Sequence, residues 1–295
     1  MTDVHAGRPD ERIGAGRRAA VLGSPIAHSL SPVLHRAAYA DLGLSWTYDA
    51  IECDADQLAE LLTTADDAFV GLSLTMPLKR AVLPLCDELS PLAAAVGAAN
   101  TVTFEGVGPF RRRRGDNTDV GGMVGAIRTT GLPDGPVAIL GAGGTAAAAL
   151  AAVRDLGRDR AEVVVRDPLR AADLLGAADR LGVAVALAEW PGVDVVARAG
   201  SVISTVPAGA ADSLSGVLGP GQLLFDVVYD PWPTPLARAA DEAGARVIGG
   251  LELLIRQAAL QVEIWSGLRL SGAPLGAMKA AGEAALRERA SRSAG

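Results

Sequence analysis

Of the 27 basic residues in this chain, 25 are arginine, and only Lys79 and Lys279 are lysine. Arginine keeps its proton near neutral pH, whereas burial and neighbouring groups can tune lysine to exchange one. Lys79 closes the segment Gly71-Leu72-Ser73-Leu74-Thr75-Met76-Pro77-Leu78-Lys79, in which Pro77 reads as the first residue of a helix. A lysine in that first turn would feel the positive end of the helix dipole, which biases it toward the neutral amine. Such a residue suits general acid–base chemistry. The alternative is a solvated surface lysine like Lys279.

Three further segments carry polar groups at element boundaries. Gly23-Ser24-Pro25-Ile26-Ala27-His28-Ser29-Leu30-Ser31-Pro32 places the hydroxyls of Ser29 and Ser31 on a loop at a helix start. Ser31-Pro32 also reads as an N-cap followed by a first-turn proline, and the same pair recurs at Ser90-Pro91. Gly97-Ala98-Ala99-Asn100-Thr101 reads as a turn before a strand, and Gly115-Asp116-Asn117-Thr118-Asp119 as a helix cap with Asp119 in the first turn.

A second kind of chemistry is written in Val137-Ala138-Ile139-Leu140-Gly141-Ala142-Gly143-Gly144-Thr145-Ala146-Ala147, a strand, a glycine turn and a helix start. Gly141 permits the tight turn, Gly143 lets the backbone approach a pyrophosphate, and Ala146 fills the small third position. With Ala142, Gly144 and Thr145, the turn then leads into a helix N-terminus whose N–H groups face the phosphates. The next strand ends in Val163-Val164-Val165-Arg166-Asp167-Pro168-Leu169-Arg170. Arg166 and Arg170 can clamp a ribose 2′-phosphate, which points to NADP; Asp167 would repel that phosphate and accept from a ribose hydroxyl. Both arginines also read as ordinary surface charges.

The elements that position these residues alternate. Strands are expected at 19–22, 46–51 and 68–74, helices at 32–42, 57–64 and from Pro77, and a hairpin at 102–104 and the stretch before Gly115. After Gly131-Leu132-Pro133-Asp134-Gly135 a second unit opens, with strands at 137–140, 162–165, 183–187, 201–204, 223–227 and 245–248. Two helices, 251–265 and 274–289, close the chain without strands of their own and are expected to pack back onto the first domain. The expectation is an α/β protein of two domains. One is a discontinuous α/β domain with a mostly parallel sheet, residues 19–117 and 251–295; the other is an inserted Rossmann-type dinucleotide domain, residues 118–250. Residues 1–18 read as a disordered leader.

Composition excludes several classes. The chain has 295 residues, 49% hydrophobic and 21% charged, which describes a packed globular protein. A net charge of −7 argues against nucleic acid or an anionic membrane as partner. The basic run Arg111 to Arg114 reads as a solvated hairpin tip. Cys53 and Cys86 provide no disulfide framework, and with His5, His28 and His35 they form no ligand motif, so no metal is expected. The uncharged run 137–153 falls short of a span of ~20 residues and is rich in Gly and Ala, so it is not read as a membrane helix. No targeting segment is visible, which makes the cytoplasm the default location, for a monomer or homodimer acting on a small molecule.

The order of the motifs resembles the shikimate dehydrogenase family. Patterns of the forms G-x-P-I-x-H-S-x-S-P, T-x-P-x-K, G-A-x-N-T, G-D-N-T-D, G-A-G-G and a late Q-A follow one another from Gly23 to Ala258. The resemblance implies NADP-dependent interconversion of 3-dehydroshikimate and shikimate, in aromatic amino-acid biosynthesis. It implies Lys79 and Asp119 as the catalytic pair, with Asp119 also binding a substrate hydroxyl. Ser29 and Ser31 are implied as contacts to the substrate carboxylate, and Thr75, Asn100 and Gln257 as the hydroxyl-binding shell. Asp226-Val227-Val228-Tyr229-Asp230-Pro231 resembles the family's D-x-x-Y-x-P and makes Tyr229 a carboxylate contact; Gly250 falls at the nicotinamide end.

The chain departs from the family's pattern at Ser73, where Asn is usual, which implies a substrate contact shortened or lost. It also departs at Val120, at Val165-Arg166-Asp167 in place of N-R-T, and at Leu253 in place of Met. Ser73 and Asp167 keep open a related dehydrogenase acting on quinate or an aminated shikimate, with NAD. A catalytically silent NADP-binding regulatory module is the reading of another class, and intact Lys79 and Asp119 oppose it.

Overall fold

The computed structural model describes residues 14 and 16–293. They form two compact units. One takes the chain up to Leu89, Ala99–Asp116 and the chain from Ala258; the other is Ser90–Ala98 with Asn117–Gln257.

The first unit contains β1 (Arg18–Gly23), α1 (Ser31–Asp41), β2 (Thr47–Glu52), α2 (Leu58–Thr64), β3 (Phe69–Leu74), α3 (Leu78–Ala81), β4 (Glu88–Leu89), β5 (Thr101–Glu105) and β6 (Arg112–Asp116). Its six-stranded sheet has the order β2-β1-β3-β5-β6-β4. β1 pairs in parallel with β2 and β3, whereas β5 runs antiparallel to both β3 and β6. The central β1 is buried from Ala19 to Gly23, as a strand covered on both faces must be, and its sequence is accordingly a continuous apolar run. Arg18 already belongs to this strand, so an ordered element starts inside the leader expected over 1–18; residues 1–13 and 15 of that leader lie outside the described residues.

The second unit contains α4 (Pro91–Val96), α5 (Thr118–Thr130), β7 (Val137–Leu140), α6 (Gly144–Asp155), β8 (Arg160–Val165), α7 (Ala172–Leu181), β9 (Ala184–Glu189), α8 (Val193–Arg198), β10 (Ser201–Ser204), β11 (Leu223–Asp226), α9 (Pro235–Glu242) and β12 (Arg246–Gly249). Its sheet has the order β12-β11-β10-β7-β8-β9, and every pairing is parallel. The chain leaves β7 in one direction and returns beside it as β10, so the carboxyl ends of β7 and β10 border the crevice where the strand order reverses. Ala146 to Val153 of α6 are all buried, because a face of alanines lets the helix lie close on the sheet. That explains the uncharged run 137–153.

Two long helices complete the chain. α10 (Gly250–Ser266) belongs to the second unit through Gln257 and to the first from Ala258. α11 (Ala273–Ser293) packs along α1. The unit boundaries thus differ from those expected at 117/118 and 250/251, and α4 joins the second unit although it lies within 19–117. The turn expected from Gly97 to Thr101 carries that change of unit: Gly97, at φ +69°, closes α4 before β5 begins at Thr101.

Candidate active site

In the first unit the implied substrate residues gather at the carboxyl ends of β1 and β3. The Ser24 N–H donates to the Met76 carbonyl at 3.0 Å, joining the loop after β1 to the loop after β3. Glu52, at the end of β2, fixes the first loop: it accepts from the Ser24 hydroxyl at 2.6 Å and from the Ile26 N–H at 3.0 Å. Ser29 Oγ then accepts from the Ser31 N–H at 3.2 Å. Ser31 is the first residue of α1 and buried, and the residue at the cap position is Leu30. Ser31 is therefore not the N-cap that its following proline suggested. Ser90, in the same dipeptide, does cap its helix by accepting from the Ala93 N–H at 3.1 Å.

Backbone hydrogen bonds gather the segments that carry Thr75, Lys79 and Asn100 at the end of β3. The Thr75 N–H donates to the Leu22 carbonyl at 2.9 Å, the Ala99 N–H to the Lys79 carbonyl at 2.7 Å, and the Leu74 N–H to the Asn100 carbonyl at 2.8 Å. Lys79 is half-buried. The helix that holds it is a single turn of four residues with Pro77 at the cap position. Pro77 therefore precedes the turn and is not its first residue. Ser73 is buried, with its hydroxyl 2.6 Å from the Tyr48 hydroxyl and 2.8 Å from Gln261 Oε1.

The remaining implied residues belong to the second unit. Asp119 lies buried in the first turn of α5, whose cap residue Asn117 donates to the Ala98 carbonyl at 2.8 Å. Gln257 is buried and its amide donates to the Leu254 carbonyl at 2.9 Å, while Tyr229 is half-buried in the loop after β11. That loop is held by Asp226, which accepts from the Val228 N–H at 3.2 Å and the Thr234 hydroxyl at 2.8 Å. Burial raises the Asp226 carboxyl above its usual range. Gly250 has a steric reason: a Cβ there would stand 2.0 Å from the Val227 carbonyl oxygen.

Around the glycine turn, Gly141 has φ +106°, a region that side chains rarely adopt. Thr205, following β10, donates from N and Oγ1 to the Leu140 carbonyl at 3.0 and 2.7 Å, so both switch-point strands contribute to one floor. Ala142, Gly144 and Thr145 are half-buried and Gly143 is exposed. A Cβ at Gly143 would meet nothing within 4 Å, which leaves an open cradle over the uncapped N-terminus of α6. Arg166 and Arg170 are exposed at the end of β8. The Asp167 carboxylate is used locally: it accepts from the Leu169 N–H at 3.0 Å and caps the short turn Pro168–Ala171.

Comparison with known proteins decides the family. The model of the shikimate dehydrogenase substrate binding domain matches residues 21–102. The shikimate dehydrogenase (NADP(+)) of Methanothrix thermoacetophila is 38% identical over 278 residues, covering 90% of this chain and 97% of its own. The chain belongs to the shikimate dehydrogenase family. Among solved structures it is similar to shikimate dehydrogenase from Mycobacterium tuberculosis (43% identity, TM-score 0.82), covering 91% of this chain and 99% of that one. It is also similar to the Thermus thermophilus shikimate 5-dehydrogenase solved with NADP(H) and shikimate (34% identity, TM-score 0.80), covering 92% of this chain and all of that one.

Within this shikimate dehydrogenase framework, the sequence overlooked several residues. Glu52 and Thr205 sit at strand ends, where loops take their shape, and a polar residue at that position was the available signal. Gln261 was signalled only by its spacing of four from Gln257 on one helix. The run Arg111 to Arg114 is not a solvated tip. Arg111 donates to the Ala65 and Phe69 carbonyls and lies 4.0 Å over the Phe104 ring, and Arg113 pairs with Asp87. Among the described residues no group of three or more His, Cys, Asp or Glu is placed to hold a metal ion, and no helix is long and apolar enough to cross a membrane.

Proposed function

We propose that this chain is an NADP-dependent shikimate dehydrogenase that reversibly reduces 3-dehydroshikimate to shikimate. The observation that carries the reading is that backbone bonds gather the segments of Thr75, Lys79 and Asn100 at the carboxyl end of β3, where the loop that bears Ser29 and Ser31 is also tied. The relatives' names and the Thermus complex support the same substrate and cofactor.

The Gly141 turn, the open cradle at Gly143 and the N-terminus of α6 fit a dinucleotide pyrophosphate, with Arg166 and Arg170 as the 2′-phosphate contacts and Gly250 near the nicotinamide end. NADPH, when bound, supplies the hydride. Lys79 stabilises the negative charge that grows on the C3 oxygen and donates the proton; in the reverse direction its amine takes the hydroxyl proton. Asp119 is the second member of the catalytic pair and binds a substrate hydroxyl. Ser29, Ser31 and Tyr229 bind the carboxylate, and Thr75, Asn100 and Gln257 bind hydroxyls. A polar shell of this kind rejects analogues that leave its hydrogen bonds unmade. Free Cys53 and Cys86 suit the reducing cytoplasm, where we place the enzyme as a monomer or homodimer.

Ser73 in place of the usual Asn favours, as second reading, quinate or an aminated shikimate as substrate. Absorbance at 340 nm with shikimate or quinate, each with NADP or NAD, tests both. Fast turnover of shikimate with NADP carries the proposal; turnover with quinate or NAD alone replaces it, and no turnover returns the silent module.

A further inference from the structure

A row of buried hydrogen bonds in the first unit has one consistent direction. The Tyr48 hydroxyl donates to Ser73 Oγ at 2.6 Å, and the Ser73 hydroxyl donates to Gln261 Oε1 at 2.8 Å. Gln261 Nε2 donates to Thr101 Oγ1 at 2.9 Å, and the Thr101 hydroxyl donates to Asn100 Oδ1 at 2.8 Å. All five residues are buried, and Gln261 is wholly so. In such surroundings each donor must find an acceptor, and each bond polarises the next. Two members set the direction. Burial keeps the Tyr48 phenol protonated, its pKa pushed above the ordinary range, so it retains the proton that it donates to Ser73. Gln261 Nε2 also donates to the Asn100 backbone carbonyl at 3.3 Å, and because a carbonyl only accepts, the amide nitrogen faces Thr101 and the amide oxygen faces Ser73.

We propose that Gln261 is a positioning residue: through Thr101 it holds the Asn100 side-chain oxygen as an acceptor, so that Asn100 presents its NH2 group as the donor to a substrate hydroxyl. The proposal rests on the reading of Asn100 as a substrate contact. It also gives Ser73 a use. The serine at this position is the link that joins Tyr48 to Gln261.

Two measurements test it. The side-chain amide resonance of Asn100, assigned by its loss in Asn100→Ala, is recorded by NMR in the ligand-free protein. Gln261→Met and Thr101→Val should each displace or broaden it, whereas Thr101→Ser, which keeps the hydroxyl, should leave it in place. In turnover, Gln261→Met should lower kcat/KM for shikimate about tenfold, the effect of one lost hydrogen bond of about 1.4 kcal/mol, with the KM for NADP unchanged. In an Asn100→Ala background the same substitution should cost almost nothing further. An Asn100 resonance unmoved by Gln261→Met overturns the proposal, as do losses that multiply in the double variant. If the unmodified enzyme does not turn over shikimate, the assignment of function falls, and the resonance alone still decides whether Gln261 holds Asn100.

Discussion

The imidazole of His35 lies on the phenol of Tyr48, ring centroids 3.8 Å apart and planes within 16° of parallel. Both rings are fully buried, and His35 Nδ1 is 2.9 Å from the Ser31 carbonyl, one turn earlier in α1. Burial disfavours the charged imidazolium and lowers the His35 pKa from 6.5 to about 4. The unfolded chain therefore takes up a proton that the folded chain refuses. The stability that depends on neutral His35 is complete above the unfolded value and is lost as the pH falls from 6.5 to about 4. The loss amounts to about 3 kcal/mol. Urea unfolding at pH 7 and pH 4.5 measures it, and His35→Gln should show a smaller difference between the two. An equal difference in both proteins would remove His35 as the source.

Lys79→Ala should lower kcat by roughly a hundredfold or more, the usual contribution of a positioned acid–base group. Because the residue belongs to the first unit and the glycine turn to the second, NADP affinity measured by fluorescence titration should stay nearly unchanged. Retention of full activity would take proton transfer away from this residue.

Arg166 and Arg170 are the two cations at the end of β8, and the Asp167 carboxylate is engaged in capping its own turn. Arg166→Ala should raise the KM for NADP about tenfold, in line with a lost charge-assisted bond, and leave the KM for NAD nearly unchanged. Equal changes for both cofactors would refute the 2′-phosphate contact.

Gly250→Ala puts a methyl group 2.0 Å from the Val227 carbonyl oxygen, where only backbone can yield. It should cost about 2 kcal/mol or more in stability and displace the loop that bears Tyr229. Gly276→Ala is the control. This glycine is exposed in α11 with nothing within 4 Å of an added Cβ, so alanine should stabilise the helix by about 0.5–1 kcal/mol. Melting curves of the two variants should therefore shift in opposite directions.

The second sheet was highly legible because its signals are local. β7 and β10 fall at the expected 137–140 and 201–204, since short apolar runs bounded by Gly, Pro or polar residues leave little choice of boundary. The short elements β4, α4, α7, α8 and α9 were not foreseen. A helix of six residues such as α4 or α8 carries too little periodicity to stand out, and its stability comes from what it packs against. The helix expected from Pro77 stopped after one turn for the same reason: its start was encoded, its length was not.

Residue types and their order determined the reaction class that this chain can be proposed to perform, because the chemistry of Lys79, the glycine turn at Gly141 and the acidic Asp119 are properties of the residues and their neighbours. Tertiary structure alone decided what the side chains do. Two Ser-Pro pairs of identical sequence became a helix cap at Ser90 and a buried first-turn residue at Ser31. Ser73 found Gln261 across 188 positions of chain. A backbone preference extends over a few residues, whereas a hydrogen-bond partner is chosen by whichever group long-range packing brings within about 3 Å, and no local pattern records that choice.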